Sequence, residues 1–252
     1  MNKVRVMPTL LYRGVGLVKG INFDSWRRVG SVIQSVKVYN LREVDELVFL
    51  DITASLDGRG PDFELVDEIA DECFMPLTVG GGVRNVEDVR HLLKAGADKV
   101  SINSAAAHHA SLVRQVSEMF GAQCAVVSID SMRNAHGRYE VYTHSGTRST
   151  GRDPVEFAHE VEALGAGEIL LTSIERDGTM TGYDLELISK VCKAVTIPVI
   201  ASGGAGSYED MWKAISQAGA SAVAAASIFH FTQQTPLEAK RYLRGRGISV
   251  RL

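Results

Sequence analysis

At 252 residues, with 45% apolar and 23% charged side chains, the chain is long enough to bury a large core. A formal charge of −3 and a pI near 6.2 exclude a general pull toward nucleic acid or an acidic membrane surface and leave room only for a local anion site. Cys73, Cys124 and Cys192 lack C-x-x-C spacing and are expected to be plain buried thiols. The amino-terminal MNKVRVMPTLLYRG has no sustained apolar run with a small-residue cleavage site, and no stretch reaches the ~18 apolar residues of a membrane span. A cytoplasmic enzyme or enzyme subunit is expected, with no nucleic-acid or membrane partner.

Strand one is read at Val4 to Leu11, where Pro8 fits best near a bulge or strand end. The glycine-containing stretch Tyr12 to Val29, which carries Lys19 and Arg27, reads as a mobile loop over a site. Helix one covers about Ser31 to Asn40, strand two Glu46 to Ile52 and helix two Asp62 to Cys73; Asp51 lies at the carboxyl end of strand two. The stretch PLTVGGGVRNVEDVRHLLKAGADKVSINS, Pro76 to Ser104, then gives strand, glycine turn, amphipathic helix and a second strand ending in Asn103 and Ser104. Helix four runs from about Ala110 to Phe120, and strand five, CAVVSID, ends at Asp130. An insertion follows in which RYEVYTH alternates like a hairpin strand. Helix five (Pro154 to Leu164), strand six (Glu168 to Ile174), the loop ERDGTMTGYD and helix six (Leu185 to Val195) come next. Strand seven, helix seven, strand eight and a helix near Pro236 to Leu243 complete eight β/α pairs.

The Pro76 unit recurs at Pro198 to Phe229, PVIASGGAGSYEDMWKAISQAGASAVAAASIF, and the same offset of 122 residues links Glu46 to Glu168. These observations predict an α/β fold: a single (β/α)8 TIM barrel over residues 1–252 with a two-fold half-barrel repeat. In such a barrel the loops at the strands' carboxyl ends build the site. Lys19, Asp51, Gly82, Asn103, Ser104, Asp130, Asp177, Gly178, Gly204 and Ser227 should converge on that rim.

Each glycine turn followed by a strand ending in small polar residues is a tight turn or a phosphate cradle; its recurrence half a chain later favours two phosphate sites facing each other. A ligand phosphorylated at both ends is the simplest occupant. Rossmann and P-loop patterns are absent. Asp130, ending an apolar strand, reads as a loop-capping carboxylate or a general acid/base; aligning RVMPTLLY with CAVVSIDS places Leu11 where its counterpart has Asp130. Asp177 is an ordinary turn residue or a second acid, and Asp51 a weaker candidate. Arg5, Glu46, Lys99 and Glu168, at strand starts, should gather as a ring at the bottom, either a salt-bridge cluster or a gate. The seven histidines lack ligand spacing, so no metal or other cofactor is expected.

Over essentially its full length the sequence resembles the cyclase subunit of imidazole glycerol phosphate synthase. DELVFLDITAS (45–55), TVGGGVRN (78–85), GADKVSINSAA (96–106), VVSID (126–130), GAGEILLTSIERDGT (165–179), GYDLELI (182–188), IASGGAG (200–206) and the ending ISVRL carry the resemblance. It implies a glutaminase partner that releases ammonia, which passes along the barrel axis to a bis-phosphorylated ribulose formimino substrate. It further implies that Gly82, Asn103 and Ser104 hold one phosphate, that Gly178, Gly204, Ala226 and Ser227 hold the other, and that Lys19 sits on a flexible loop. Arg5, Glu46, Lys99 and Glu168 become an ammonia gate, and Asp98 part of the glutaminase docking face. The chain departs from that family at Leu11: TLLYRGVGLVKG stands where the family has an acid at the end of strand one. With ECFMP and YEVYTH, this pattern is more similar to divergent cyclase-like paralogues of bacterial surface-polysaccharide pathways, which implies ammonia supplied to an acceptor other than the histidine precursor.

Overall fold

A computed structural model describes residues 3–252. Eight parallel strands close into a barrel: β1 (Arg5–Tyr12), β4 (Leu47–Asp51), β5 (Leu77–Gly80), β6 (Lys99–Ile102), β7 (Ala125–Arg133), β10 (Glu168–Ser173), β11 (Val199–Ser202) and β12 (Ala222–Ala225). They are neighbours in that order, β12 pairing back onto β1. Pro8 lies mid-strand rather than at an end; the register of β1 passes there from β12, through Arg5–Pro8, to β4, through Thr9–Tyr12.

The outer ring is α1 (Val32–Leu41), α2 (Phe63–Glu72), α3 (Val86–Lys94), α5 (Ser111–Phe120), α6 (Pro154–Ala163), α7 (Leu185–Ala194), α8 (Tyr208–Ser216) and α10 (Pro236–Gly245), with one-turn helices α4 (Ser104–His108) and α9 (Ser227–Phe231) at the strand ends. The helices turn their apolar stripes inward, Val66 and Ile69 of α2 or Leu187, Ile188 and Val191 of α7, onto the outer faces of the strands. A second, smaller core fills the barrel itself: Met7, Val48, Val126, Leu170, Ile200, Ala222 and Ala224.

The half-barrel repeat is visible at atomic detail. Asn85 caps α3 by accepting from the Asp88 N–H, and the Asp88 carboxylate accepts from the Arg84 N–H. The same offset later, Ser207 caps α8 by accepting from the Asp210 N–H, and the Asp210 carboxylate accepts from the Gly206 N–H. At the turns, Gly81 (φ +105°) and Gly203 (φ +88°) are matched positions where a Cβ would lie 2.2 Å from the Asp51 carbonyl oxygen and 2.6 Å from that of Ser173. Both are therefore restricted to glycine by backbone crowding.

Each half also adds a hairpin after its first strand. β7 continues into β8 (Tyr139–Thr143) and β9 (Arg148–Ser149), as the RYEVYTH alternation predicts. The stretch Tyr12 to Val29 is not the mobile loop expected from its glycines. It forms β2 (Leu17–Ile21) and β3 (Asp24–Gly30), an antiparallel hairpin paired to β1, because Leu17, Val18 and Lys19 bury against the barrel mouth while β3 stays solvent-facing. The three cysteines are free and half-buried rather than fully buried, and burial pushes each thiol pKa up, as expected of inert thiols.

Candidate active site

The inward-facing positions of the strands alternate, so each strand contributes every second residue to the barrel interior. At the carboxyl ends these include Thr9 and Leu11 of β1, Leu50 of β4, Ser128 and Asp130 of β7, and Leu170 and Thr172 of β10, all lining one open cavity. Lys19, Asp51, Asn103, Ser104, Asp177, Gly178, Gly204, Ala226 and Ser227, each expected from the sequence, complete its wall. Gly82 is not. Its neighbour Gly81 lines the cavity, while Gly82 packs behind it against Ala54 and the Arg59–Gly60 backbone.

Asp130 stands on the fifth barrel strand, across the mouth from Leu11 on the first. Its Oδ2 accepts a 3.0 Å hydrogen bond from Asn103 Nδ2, which also donates to the Ser128 carbonyl at 3.1 Å. The Asn103 amide, expected to hold phosphate, is thus engaged with the acid. Burial and, secondly, the nearby Asp177 carboxylate push the Asp130 carboxyl up to about 7. Asp177 is itself raised by burial, against the pull of Lys19, whose Nζ lies 2.5 Å from Asp177 Oδ2.

Lys19 is 2% exposed. It is therefore not on a flexible arm: the hairpin is fixed over the mouth by this ion pair, by the Asn22 N–H donating to the Asp177 carbonyl at 2.8 Å, and by Arg27 stacked 3.7 Å from the Phe231 ring centre. Gly178 (φ +75°) makes the close approach possible, since a Cβ there would fall 2.1 Å from the Gly20 carbonyl oxygen. Asp51 accepts from the Thr53 and Ala54 N–H groups and pairs with Arg59 at 2.7 Å, so it fixes the β4–α2 loop.

Among the described lining residues Lys19 is the one cation, and Asp177 neutralises it. An anion entering this cavity must rely on backbone N–H groups and hydroxyls. The hydroxyls of Thr9 and Ser227, both more than nine-tenths buried, have no hydrogen-bond partner. At the other corner Ser104 accepts from the His144 N–H at 3.1 Å and donates to Asn103. The two corners, Gly81 with Ser104 between the third and fourth barrel strands and Gly203–Gly204 with Ser227 between the seventh and eighth, lie on opposite sides of the mouth. Their axis crosses the line from Leu11 to Asp130.

At the opposite, amino-terminal end, Arg5, Glu46, Lys99 and Glu168 close a four-membered ring of alternating sign. Arg5 bonds Glu46 at 2.7 Å and Glu168 at 2.8 Å; Lys99 bonds Glu46 at 2.9 Å and Glu168 at 3.1 Å. Glu46 also accepts from the Thr78 hydroxyl at 2.6 Å. Asp98, on the same face, is exposed and accepts from the Leu77 N–H at 2.8 Å.

Sequence reasoning missed Thr9, Ser128 and Thr172, which the alternation of their strands would have placed inward, and Phe23, Trp26 and Ser145, whose approach depends on two hairpins folding over the mouth. Among the described residues no helix is long and apolar enough to cross a membrane. Residues 9–235 match the family described as Histidine biosynthesis protein, and the chain belongs to that family of isomerase- and cyclase-type barrel enzymes.

Proposed function

We propose that the chain is a cyclase-type subunit of a glutamine amidotransferase, one that receives ammonia through the barrel and transfers it to a ligand anionic at both ends, with Asp130 as the acid/base. The observation that carries this reading is the alignment, along one axis, of the Arg5–Glu46–Lys99–Glu168 ring, an apolar layer of Met7, Val48, Val126 and Ile200, and a cavity flanked by Asp130. Neutral ammonia can cross such a layer, whereas ammonium would lose its hydration without replacement. In an isomerase, which takes its substrate from the mouth alone, the same ring would serve only as a structural salt-bridge cluster. A glutaminase docked around Asp98 and the ring would supply the nitrogen.

Leu11 favours a divergent member of the family, serving amidino-sugar or surface-polysaccharide synthesis, over a histidine-pathway cyclase, because a leucine flank cannot exchange protons. A second reading, ring closure of the histidine precursor, has one observation in its favour: the Asp177 carboxylate is near enough to Asp130 to raise it. Burial, the larger influence, raises Asp177, while the Lys19 ion pair pulls it toward its charged form and so opposes a proton-donating role for it.

The test mixes the chain with its glutaminase and assays glutamine hydrolysis and ring closure of the ribulose formimino precursor, with free ammonia in parallel. Stimulated hydrolysis without ring closure, and ring closure gained by Leu11→Asp, is the expected result. Ring closure by the natural chain supports the second reading; no stimulation of the glutaminase overturns the amidotransferase assignment.

A further inference from the structure

Basic side chains gather behind the first corner, outside the cavity wall. Ser104 accepts from the His144 N–H, and Ser145 donates its hydroxyl to the Ile52 carbonyl, so the turn between β8 and β9 is tied to that wall. His144 and Ser145 hold left-handed backbone (φ +51° and +54°), a conformation costly for residues other than glycine. The turn sets the half-buried His144 ring 5.9 Å from that of His108, the exposed last residue of α4, and brings Arg148 Nη1 3.4 Å from His144 Nε2. Among the described residues none of the three pairs with a carboxylate; those on the adjoining elements are engaged elsewhere, Glu140 with Asn134 and Ser149, and Glu160 with Arg152. Burial first, then the Arg148 and His108 charges hold the His144 imidazole below its usual range, with no acid to offset them.

We infer that His108, His144 and Arg148 form a second anion position just outside the Ser104 corner, so that the ligand ends there in a diphosphate rather than a single phosphate. This rests on the reading of that corner as a phosphate site and adds the class of group bound there. Basic groups gathered without a counter-ion repel one another, and an anion between them replaces that repulsion with charge-assisted hydrogen bonds. Among the described residues the Arg148 guanidinium has the His144 ring nitrogen as its acceptor, and a phosphate oxygen is a stronger one. A monophosphate at the corner would be held by the glycine turn and Ser104 and leave the three side chains unanswered. The second phosphate of a diphosphate, one bridging oxygen further on, reaches past Ser104 toward them.

Inorganic phosphate and pyrophosphate are titrated by calorimetry, in buffer free of divalent cations, against the natural chain, Arg148→Met and the double variant His108→Asn/His144→Asn. Asparagine tolerates left-handed backbone, so the turn and its N–H bond to Ser104 persist in the double variant. Pyrophosphate is expected to bind the natural chain about tenfold or more tighter than phosphate. Each variant should cut that advantage to about threefold or less while phosphate affinity stays within about twofold, and Arg148→Lys should keep part of what Arg148→Met loses. Equal affinity of the natural chain for the two anions, or an advantage that survives both variants, overturns the diphosphate position and leaves the corner standing. Equal losses for both anions would assign the three side chains to the single phosphate and overturn it likewise. Failure of both anions to bind overturns the corner and the diphosphate position together.

Discussion

Asn103 Nδ2 donates to Asp130 Oδ2 at 3.0 Å and to the Ser128 carbonyl at 3.1 Å, so the amide spans from the strand's backbone to the carboxylate two residues further along it. The acid is therefore aimed before any ligand arrives. Asn103→Leu should lower turnover about tenfold or more through loss of that aim, with the Asp130→Asn/Asn103→Leu double variant no worse than Asp130→Asn alone. Full additivity of the two changes in kcat would show that Asn103 acts elsewhere.

A carboxyl raised to about 7 predicts its own pH signature. As the base, Asp130 should make turnover rise with pH through about 7, and Asp130→Asn should remove that inflection along with ~10²-fold or more of the rate. The stability sign is opposite. Because the folded state holds the proton to higher pH than the unfolded chain does, the favourable contribution is complete below about 4, declines as pH rises toward 7, and is flat beyond. Asp130→Asn should then unfold in more urea than the natural chain at pH 8 and show little difference at pH 4.

The Lys19–Asp177 pair is buried on both sides. Lys19→Met leaves an unneutralised carboxylate and should cost roughly 3 kcal/mol or more in urea unfolding, and Lys19→Met/Asp177→Leu should recover most of the loss. A double variant as unstable as the sum of the singles would mean that the pair is not coupled.

The two half-barrels give an internal control. Asn85→Ala and Ser207→Ala remove the same cap from α3 and α8, and each should cost about 1 kcal/mol, by similar amounts. Unequal losses in chemical denaturation would show that the two helices, though matched in geometry, are supported differently by their surroundings.

The ring predicts a split in nitrogen source. Lys99→Met breaks two of its four ion pairs. Product formation driven by glutamine should fall about tenfold while that driven by free ammonia changes less than about twofold, since ammonia in solution also enters from the mouth. Equal losses with both sources would assign the ring to folding alone.

The barrel and its repeat were legible because they rest on local signals: the apolar run that leads to Asp130, the RYEVYTH alternation and the paired glycine turns. The ion ring was legible because strand starts share one end of a barrel. Lys19 was misjudged because glycines at 14, 16 and 20 read as looseness, whereas Gly20 serves close packing under Asp24 and Trp26. Asn103 was expected at the rim, where it lies, but nothing local marks its bond to Asp130, 27 residues away. Gly81 and Gly82 differ in role only through what crosses behind them, a contact between loops that spacing does not record.

A molecule stretched between the two glycine corners lies crosswise to the line joining Leu11 and Asp130, so a hydrocarbon flank meets one of its sides and an ionisable flank the other. Hydrogen exchanged at a prochiral carbon of that molecule would enter or leave from a single side. In deuterated water the product should carry its label in one configuration, a stereochemical imprint of having kept an acid on one half-barrel and a leucine on its twin.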